Sequence, residues 1–434
     1  MEKIYALIKP LLMIYVFTLP FTHITSVRET AFVSLFTFFV IKLFHKGSSI
    51  DFRDRTVQAF CLLAGVAIIT SILGPYPYES LNFIRKNILY QAVVFFVILN
   101  EYKGFDELKP LLYTLIASYA LLTVLVLTFN SPTVLLHWIE HLDKKFASGY
   151  ALHGTFYIPL LAGLLYTSLK DRRLKWGLLF ILIVELTLCI LDNHRSQIAA
   201  ISLALVAVTL LARRWKILFA GLLVTIVLGA ALFAVEPGMF TRYKTLLQPR
   251  TYLSDEYGGW NGRFFIWSGV ADMIKERPLT GYGYGWKKMA TVAREGGFLE
   301  RWNETKPKTY AFFATRYYGS TTSHNLILQI LFEGGVAGLA AFLIFWTTVC
   351  MKVLPLPPLP RQGIDRGAAF LRYGATGILI SYALVNVAWS LWEEVAGVLM
   401  MLFAALCVVL YKEIKDPHFL LEKRKRDKEN QRGN

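Results

Sequence analysis

Residues 174–235 of the chain read LKWGLLFILIVELTLCILDNHRSQIAAISLALVAVTLLARRWKILFAGLLVTIVLGAALFAV, three apolar runs joined by two short polar turns. Each run has roughly the length that an α-helix needs to cross a bilayer. Similar runs recur along the 434-residue chain, of which 55% is hydrophobic and 18% charged. A soluble domain carries about 25% charged residues. The sequence therefore predicts an all-α polytopic membrane protein, since a β-barrel would show alternating segments of about 10 residues instead.

The apolar runs predict about twelve transmembrane helices and one large loop. The predicted spans are 5–22, 28–44, 57–73, 83–100, 108–129, 150–169, 174–192, 197–212, 215–235, 323–350, 368–391 and 394–412. The fourth span is unusual because Arg85 and Lys86 lie inside its start. The chain then divides into four parts: helices one to nine over 1–235, a loop domain over 236–322, helices ten to twelve over 323–412 and a basic tail over 413–434.

The basic residues predict the orientation of these spans. More than half of the 46 Lys and Arg lie in the two chain ends and in the short loops on their side, such as residues 170–173. Short cytoplasmic loops carry this excess, whereas long loops translocate regardless of charge. Both ends are therefore predicted in the cytoplasm and the 236–322 loop outside. The net charge of +16 is then a topology signal and requires no nucleic acid partner.

The large loop is predicted to contain short helices, because a structureless loop of this length is uncommon. Its segment GRFFIWSGVADMIK, at 262–275, places apolar residues on one face of a helix. Pro278 and the glycine-rich residues 281–285 would end this helix. We expect the helix to lie on the membrane surface or on the rim of the bundle.

His324 is the first candidate for catalysis. It follows Thr322 and Ser323, either of which is predicted to cap the tenth span, and this places His324 in the first turn. A helix N-terminus disfavours imidazolium and would keep the ring neutral, as a general base requires. The competing interpretation, commoner for a single histidine, is a polar residue at the membrane interface.

Two arginines are candidates for binding phosphate, because the planar guanidinium matches phosphate oxygens. Arg195 lies in the short outside turn at 192–196, and Arg263 opens the amphipathic helix, where backbone N–H groups favour anions. The alternatives are an arginine that extends from the interface toward water for Arg195 and a solvated or stacked charge for Arg263. Arg28 and Arg242 are further outside cations, each of which alone would be a solvated charge.

The acidic residues and cysteines predict no metal site. Glu185, in the middle of the seventh span, is expected to pair with a polar partner. Glu393 and Glu394 are expected to form an interfacial turn, since no carboxylate or histidine is spaced to complete a metal site around them. The chain has four cysteines and no CxxC, and no GxxxxGK[ST] motif predicts ATP binding.

Residues 260–340 resemble the O-antigen ligase and polymerase family of bacterial membranes. The resemblance is carried, in order along the chain, by Gly262-Arg263, Trp267, Pro278, Gly281-x-Gly283-x-Gly285, His324-Asn325, Gln329, Glu333-Gly334-Gly335 and Gly338. The architecture of about twelve spans with one large late loop is similar as well.

The resemblance implies a metal-independent, inverting glycosyltransferase without a cofactor. Its donor would be a glycan on undecaprenyl pyrophosphate and its acceptor the lipid A-core, both in the outer leaflet of a Gram-negative inner membrane. His324 would be the general base, while Arg195 and Arg263 would stabilise the leaving pyrophosphate. Further residues are expected to bind the substrates: Asn325, Arg242, Arg28 and Trp260. No nucleic acid partner is implied, and we expect a monomer.

Other functions remain open at the level of the sequence. A polysaccharide polymerase or a protein O-oligosaccharyltransferase of the same family would carry the same motifs. The ligase is favoured because the ligases also resemble this chain in Arg195 at a short periplasmic turn. A transporter of lipid-linked glycans belongs to a different class, and only Glu185 provides the midplane charge that such proteins favour.

Overall fold

The computed structural model describes residues 2–21, 24–129, 150–167, 171–191, 194–235, 260–354 and 366–415. Every regular element in these ranges is a helix. Those that precede the large loop are α1 Glu2–Tyr5, α2 Ile8–Thr18, α3 Thr25–Lys46, α4 Arg55–Leu73, α5 Pro77–Glu101, α6 Phe105–Phe129, α7 Tyr150–Thr167, α8 Arg172–Leu191, α9 Arg195–Leu211 and α10 Trp215–Val235.

The second half of the chain contains the loop helices and the last long helices. They are α11 Trp260–Glu276, α12 Met289–Glu295, α13 Phe298–Thr305, α14 Pro307–Ala314, α15 Leu326–Val353, α16 Arg366–Phe370, α17 Thr376–Val385 and α18 Glu394–Lys415. A 3₁₀ turn at Trp286–Lys288 precedes α12, and a π-helical turn at Leu371–Ala375 joins α16 to α17. The loop therefore does contain short helices.

A helix overlaps each of the twelve predicted spans. Within the described ranges, six helical stretches are long and apolar enough to cross a membrane: Arg55–Leu73, Pro77–Glu101, Phe105–Val126, Leu326–Val353, Arg366–Val385 and Glu394–Lys415. Backbone N–H and C=O groups in lipid must pair within their own segment, and a helix achieves this. The chain is thus a multi-pass membrane protein, while the number of twelve spans stays a prediction.

Ion pairs mark one end of the helix bundle, which we call the lysine end. Lys–carboxylate pairs join different helices or loops there, among them Lys42–Glu101 at 2.7 Å, Lys352–Asp54 at 2.9 Å and Lys412–Asp51 at 3.1 Å. The α4–α5 connection and the start of α18 lie at the opposite end, which we call the loop end because the 277–288 segment packs there. The predicted topology places the loop end outside.

The glycine-rich segment 281–285 is a turn, as predicted, and it docks into a kink of α15. Gly335 at the kink has φ 59°, and a side chain there would collide with the backbone of Leu279. The amide of Tyr282 donates to the Phe332 carbonyl at 2.8 Å, and the amide of Val336 donates to the Pro278 carbonyl at 2.8 Å. The loop domain is thereby fixed to the transmembrane bundle.

Two further predictions can be compared with the packing. The Thr123 hydroxyl donates to Glu185 at 2.6 Å, and both side chains are buried, so Glu185 does pair with a polar partner. The eleventh span was expected to continue to residue 391, but its helix ends at Val385. The Asn386 amide oxygen accepts from the Leu391 amide at 2.6 Å and stabilises a loop over residues 386–393. This loop reaches the candidate site.

Candidate active site

His324 lies at the loop end, immediately before α15. Its φ is 49°, in the left-handed region that non-glycine residues seldom adopt. The N-cap of α15 is Asn325, whose side chain accepts from the Leu328 amide at 3.0 Å. The prediction of Thr322 or Ser323 as the cap was therefore wrong, and His324 precedes the helix. The physical reason is that the left-handed residue turns the chain before the Asn325 amide can cap the first turn.

Contacts from two other segments hold the His324 backbone in place. The Trp267 indole of α11 donates to the Ser323 carbonyl at 3.0 Å. On the other side, the Asn325 amide group donates to the Val387 carbonyl at 3.2 Å. The Ser323 and Ser390 hydroxyls are 3.3 Å apart. The histidine is thus clamped between the loop domain and the 386–393 loop.

Trp389 connects His324 to the start of α9. Its ring meets the His324 ring edge-to-face, with centroids 5.9 Å apart, and meets the His194 ring in the same way at 6.0 Å. Its indole N–H donates to the Ser196 hydroxyl at 3.0 Å. Since Arg195 lies between His194 and Ser196, Trp389 contacts both the predicted base and the segment that holds the predicted phosphate ligand.

The three predicted catalytic residues lie within electrostatic range of one another, in the order Arg195, Arg263, His324. Burial, followed by the positive charge of Arg195, lowers the pKa of the Arg263 guanidinium. Burial, followed by the charges of Arg263 and Arg316, lowers the pKa of the His324 imidazole from 6.5 to about 4. His324 Nδ1 is buried and has no hydrogen-bond partner among the described residues. At neutral pH the site therefore presents an uncharged imidazole beside guanidinium cations.

The remaining predicted substrate ligands have different positions. The Asn325 side chain already accepts from the Leu328 amide and donates to the Val387 carbonyl, so it holds the His324 loop in place. Arg28 lies in α3 and lines a separate groove at the loop end. Trp260 begins α11, but its side chain is outside the described part of the structure, and Arg242 lies outside the described residues.

Two residues around His324 were not predicted from the sequence. Arg316 is half-buried above the Phe312 ring, with its guanidinium carbon 4.6 Å from the centroid, and its charge reaches His324. Trp389 was equally unexpected. The only signal in the sequence was that Arg316 is a cation in the loop shortly before His324, which is too general to identify it.

A buried ionic cluster lies beside the site. Lys288, Glu333 and Glu393 are 2%, 2% and 6% exposed. The Lys288 ammonium donates to the Ser80 hydroxyl at 2.8 Å and to the Tyr284 carbonyl at 2.7 Å. Burial lowers the pKa of Lys288 to about 8, while burial and the Glu333 carboxylate raise the pKa of Glu393 well above its usual value. This cluster fixes the end of the 386–393 loop.

The prediction of an interfacial turn for Glu393 and Glu394 was half right. Glu394 is exposed and forms an ion pair with Lys287 at 3.2 Å. Glu393 is buried beside Glu333, because the chain reverses at Glu394, whose φ is 53°. Among the described residues, no group of three His, Cys, Asp or Glu side chains is arranged to hold a metal ion.

Comparisons with known proteins agree with the resemblance in the sequence. Residues 177–343, which include Arg195, Arg263 and His324, match the family model described as O-antigen ligase. A Rickettsia bellii (strain RML369-C) protein, provisionally named a polysaccharide ligase, is 24% identical over 380 residues, or 82% of each chain. A Rickettsia conorii (strain ATCC VR-613 / Malish 7) protein with the same kind of name is 24% identical over 289 residues, or 63% of this chain and 64% of the relative.

Proposed function

We propose that this chain, which is related to the O-antigen and polysaccharide ligases at the family level, transfers a glycan from undecaprenyl pyrophosphate to the lipid A-core. The observation that carries the proposal is the position of His324, a half-buried side chain with a buried, unpartnered Nδ1, within electrostatic range of Arg263, which itself lies within electrostatic range of Arg195. A base and a pair of phosphate-binding cations are the two requirements of this reaction.

His324 acts as the general base. The acceptor hydroxyl gives its proton to the imidazole while its oxygen attacks the anomeric carbon of the donor sugar. The bond from that carbon to the pyrophosphate oxygen breaks, and the configuration inverts because attack occurs opposite to the leaving group. A base must be uncharged before the reaction, and the low pKa of His324 satisfies this condition.

Arg195 and Arg263 bind the donor pyrophosphate and stabilise the negative charge that develops on it as it leaves. Two cations held close together in a partly buried site repel each other, and a bound pyrophosphate relieves this repulsion. Arg316 adds a third positive charge near His324. In this proposal, arginines take the place that a metal ion has in other phosphate-releasing enzymes.

The reaction takes place on the periplasmic face of a Gram-negative inner membrane, where both lipid substrates are present. The loop end carries His324 and the predicted orientation points it outward. A polymerase or a protein O-oligosaccharyltransferase would use the same base and the same donor. Only the acceptor differs between these reactions, so the choice of acceptor separates them.

The test measures donor affinity and single-turnover rate for purified His324→Ala, Arg195→Ala and Arg263→Ala in nanodiscs. His324→Ala should keep donor affinity and lose about 10²–10⁴-fold in rate, the usual cost of removing a general base. Either arginine variant should weaken donor binding as well as rate. Lysine should rescue only in part, because a point charge cannot reproduce the guanidinium fork.

The matched control is Lys275→Ala, an exposed cation of α11 paired with Asp272 at 3.3 Å. It should behave as wild type. A wild-type rate in His324→Ala would exclude the base assignment. Unchanged donor affinity in both arginine variants would leave these residues as interfacial anchors. Transfer to another glycan, but not to lipid A-core, would identify the chain as a polysaccharide polymerase. Transfer to a protein instead would identify it as a protein O-oligosaccharyltransferase.

A further inference from the structure

A second basic cavity opens at the loop end, away from His324. Its volume is about 460 Å³, within the range of ligand pockets. It lies between the end of α2, the first turn of α3, the second to fourth turns of α5, the start of α18 and the 3₁₀ turn at Trp286–Lys288. Three cations line it, namely Arg28, Lys86 and Lys287. We call this cavity the α3–α5 groove.

Two carboxylates also line the groove, and both are already engaged. Glu29 accepts a hydrogen bond from the Tyr90 hydroxyl and lies 3.8 Å from the Arg28 guanidinium. Glu394 pairs with Lys287 at 3.2 Å. Lys86, by contrast, makes no hydrogen bond or ion pair with any described residue. Among the described residues that line the groove, positive charges therefore outnumber negative ones by one.

The position of Lys86 in α5, a helix long and apolar enough to span a membrane, makes this excess significant. Lys86 lies nine residues after Pro77, the first residue of α5, which places it about 13 Å along the helix at 1.5 Å per residue. A charged residue at such a position in a membrane-spanning helix faces a polar cavity or a partner. Lys86 faces the groove, and this explains why a cation interrupts the start of an otherwise apolar span.

The groove and the His324 site are distinct but adjacent. Arg195 and Arg263 belong to α9 and α11, whereas the groove is built from α2, α3, α5 and α18. The 386–393 loop and the start of α18 join the two sites. Trp389 on this loop packs against His324, and Glu394 at its end lines the groove. Two cationic sites therefore flank one short loop.

We propose that the α3–α5 groove binds the phosphorylated headgroup of the acceptor glycolipid. This inference rests on the proposed function, in which one lipid gives its pyrophosphate to Arg195 and Arg263 and a second lipid must offer a hydroxyl to His324. Lys and Arg side chains suit phosphate, and the aromatic and aliphatic wall formed by Tyr15, Phe83 and Val398 suits the apolar faces of sugars and the first acyl carbons.

The test measures lipid binding without turnover. Wild type and Lys86→Gln, in phosphatidylcholine nanodiscs, are titrated with lipid A-core, with the same glycolipid after removal of its phosphates, and with the undecaprenyl pyrophosphate-linked donor. Lys86→Gln should weaken binding of the phosphorylated acceptor by about tenfold or more, as expected for loss of a hydrogen bond to a charged group. It should leave the other two affinities unchanged.

Arg85→Gln is the matched control. Arg85 is the neighbouring cation of α5, is exposed, bonds to Asn82 at 3.0 Å and does not line the groove. It should bind all three lipids as wild type does. Arg28→Gln is a second groove variant, and it should repeat the Lys86→Gln result. A retained thermal midpoint in each variant shows that the fold is intact.

Several results would overturn the proposal. Unchanged acceptor affinity in Lys86→Gln and Arg28→Gln would do so, as would equal losses for the dephosphorylated acceptor. Loss of donor affinity instead would assign the groove to the donor. Equal competition by phosphatidylglycerol in the nanodisc would make it a general anionic-lipid site. If acceptor binding depends on Lys86 but no glycan transfer occurs, the assignment of the groove to the acceptor headgroup is retained and the proposed transferase function is refuted.

Discussion

Replacement of Arg263 by glutamine should raise the pH at which the enzyme loses its base. In the wild type, the low pKa of His324, about 4, keeps the imidazole neutral through the physiological range. The acidic limb of the profile of kcat/KM against pH reports the base of the free enzyme. It should therefore lie near pH 4 in the wild type, well below the 6.5 of an ordinary histidine.

The size of the effect follows from the causes of the low pKa. Burial is the largest, Arg263 is second and Arg316 third, and all three act in the same direction. Arg263 therefore accounts for less than half of the difference between 6.5 and about 4. That bound is about 1.2 pH units, or about 1.7 kcal/mol. In Arg263→Gln the acidic limb should move upward, to no higher than about pH 5.2, whatever the loss in maximal rate.

The assay is initial-rate transfer between pH 3 and 9, with intact donor verified at each pH. A titration of labelled histidine by NMR, assigned with His324→Gln among the eight histidines, reads the same pKa without turnover. Arg316→Gln should shift the limb less than Arg263→Gln, and Lys275→Gln should not shift it. A wild-type limb near 6.5, or no upward shift in Arg263→Gln, would refute the coupling between Arg263 and His324.

Three further predictions follow from the topology, the arginines and the buried cluster. A cysteine introduced by Asn303→Cys should react with an impermeant reagent from outside, while Asp171→Cys should not; the reverse labelling would place His324 on the cytoplasmic side. Transfer should survive excess EDTA because arginines neutralise the pyrophosphate, and a loss restored by Mg²⁺ or Mn²⁺ would contradict this. Lys288→Met should destabilise the fold by about 1–3 kcal/mol, since it leaves the Ser80 hydroxyl and the Tyr284 carbonyl without their buried donor and removes the positive charge near Glu333 and Glu393. The raised pKa of Glu393 means that its carboxyl is neutral at lower pH, so the loss in thermal midpoint should be larger at pH 7, where Lys288 still carries its proton, than at pH 5, and a loss independent of pH would exclude this role.

Part of the candidate site could be predicted from the sequence. His324 and Arg263 stand out because each lies next to the start of a recognisable helix, and Arg195 stands out because the turn around it is short. Arg316 and Trp389 do not, because their relation to His324 depends on how the loop domain and the 386–393 loop pack. The cap of α15 was misassigned for a related reason: three neighbouring polar residues can each cap a helix, and only the turn at His324 selects Asn325.

The sequence by itself determined the helices, because the need to pair every backbone polar group within a bilayer converts each long apolar run into one helix. It also determined the turn at 281–285, since glycines in that density cannot continue a helix. Only the tertiary structure decided what lies beside His324. The buried cluster of Lys288, Glu333 and Glu393 joins three segments far apart in the chain, and no local periodicity records such a contact. Burial lowers the pKa of His324, and burial is a property of the packed chain rather than of any stretch of it.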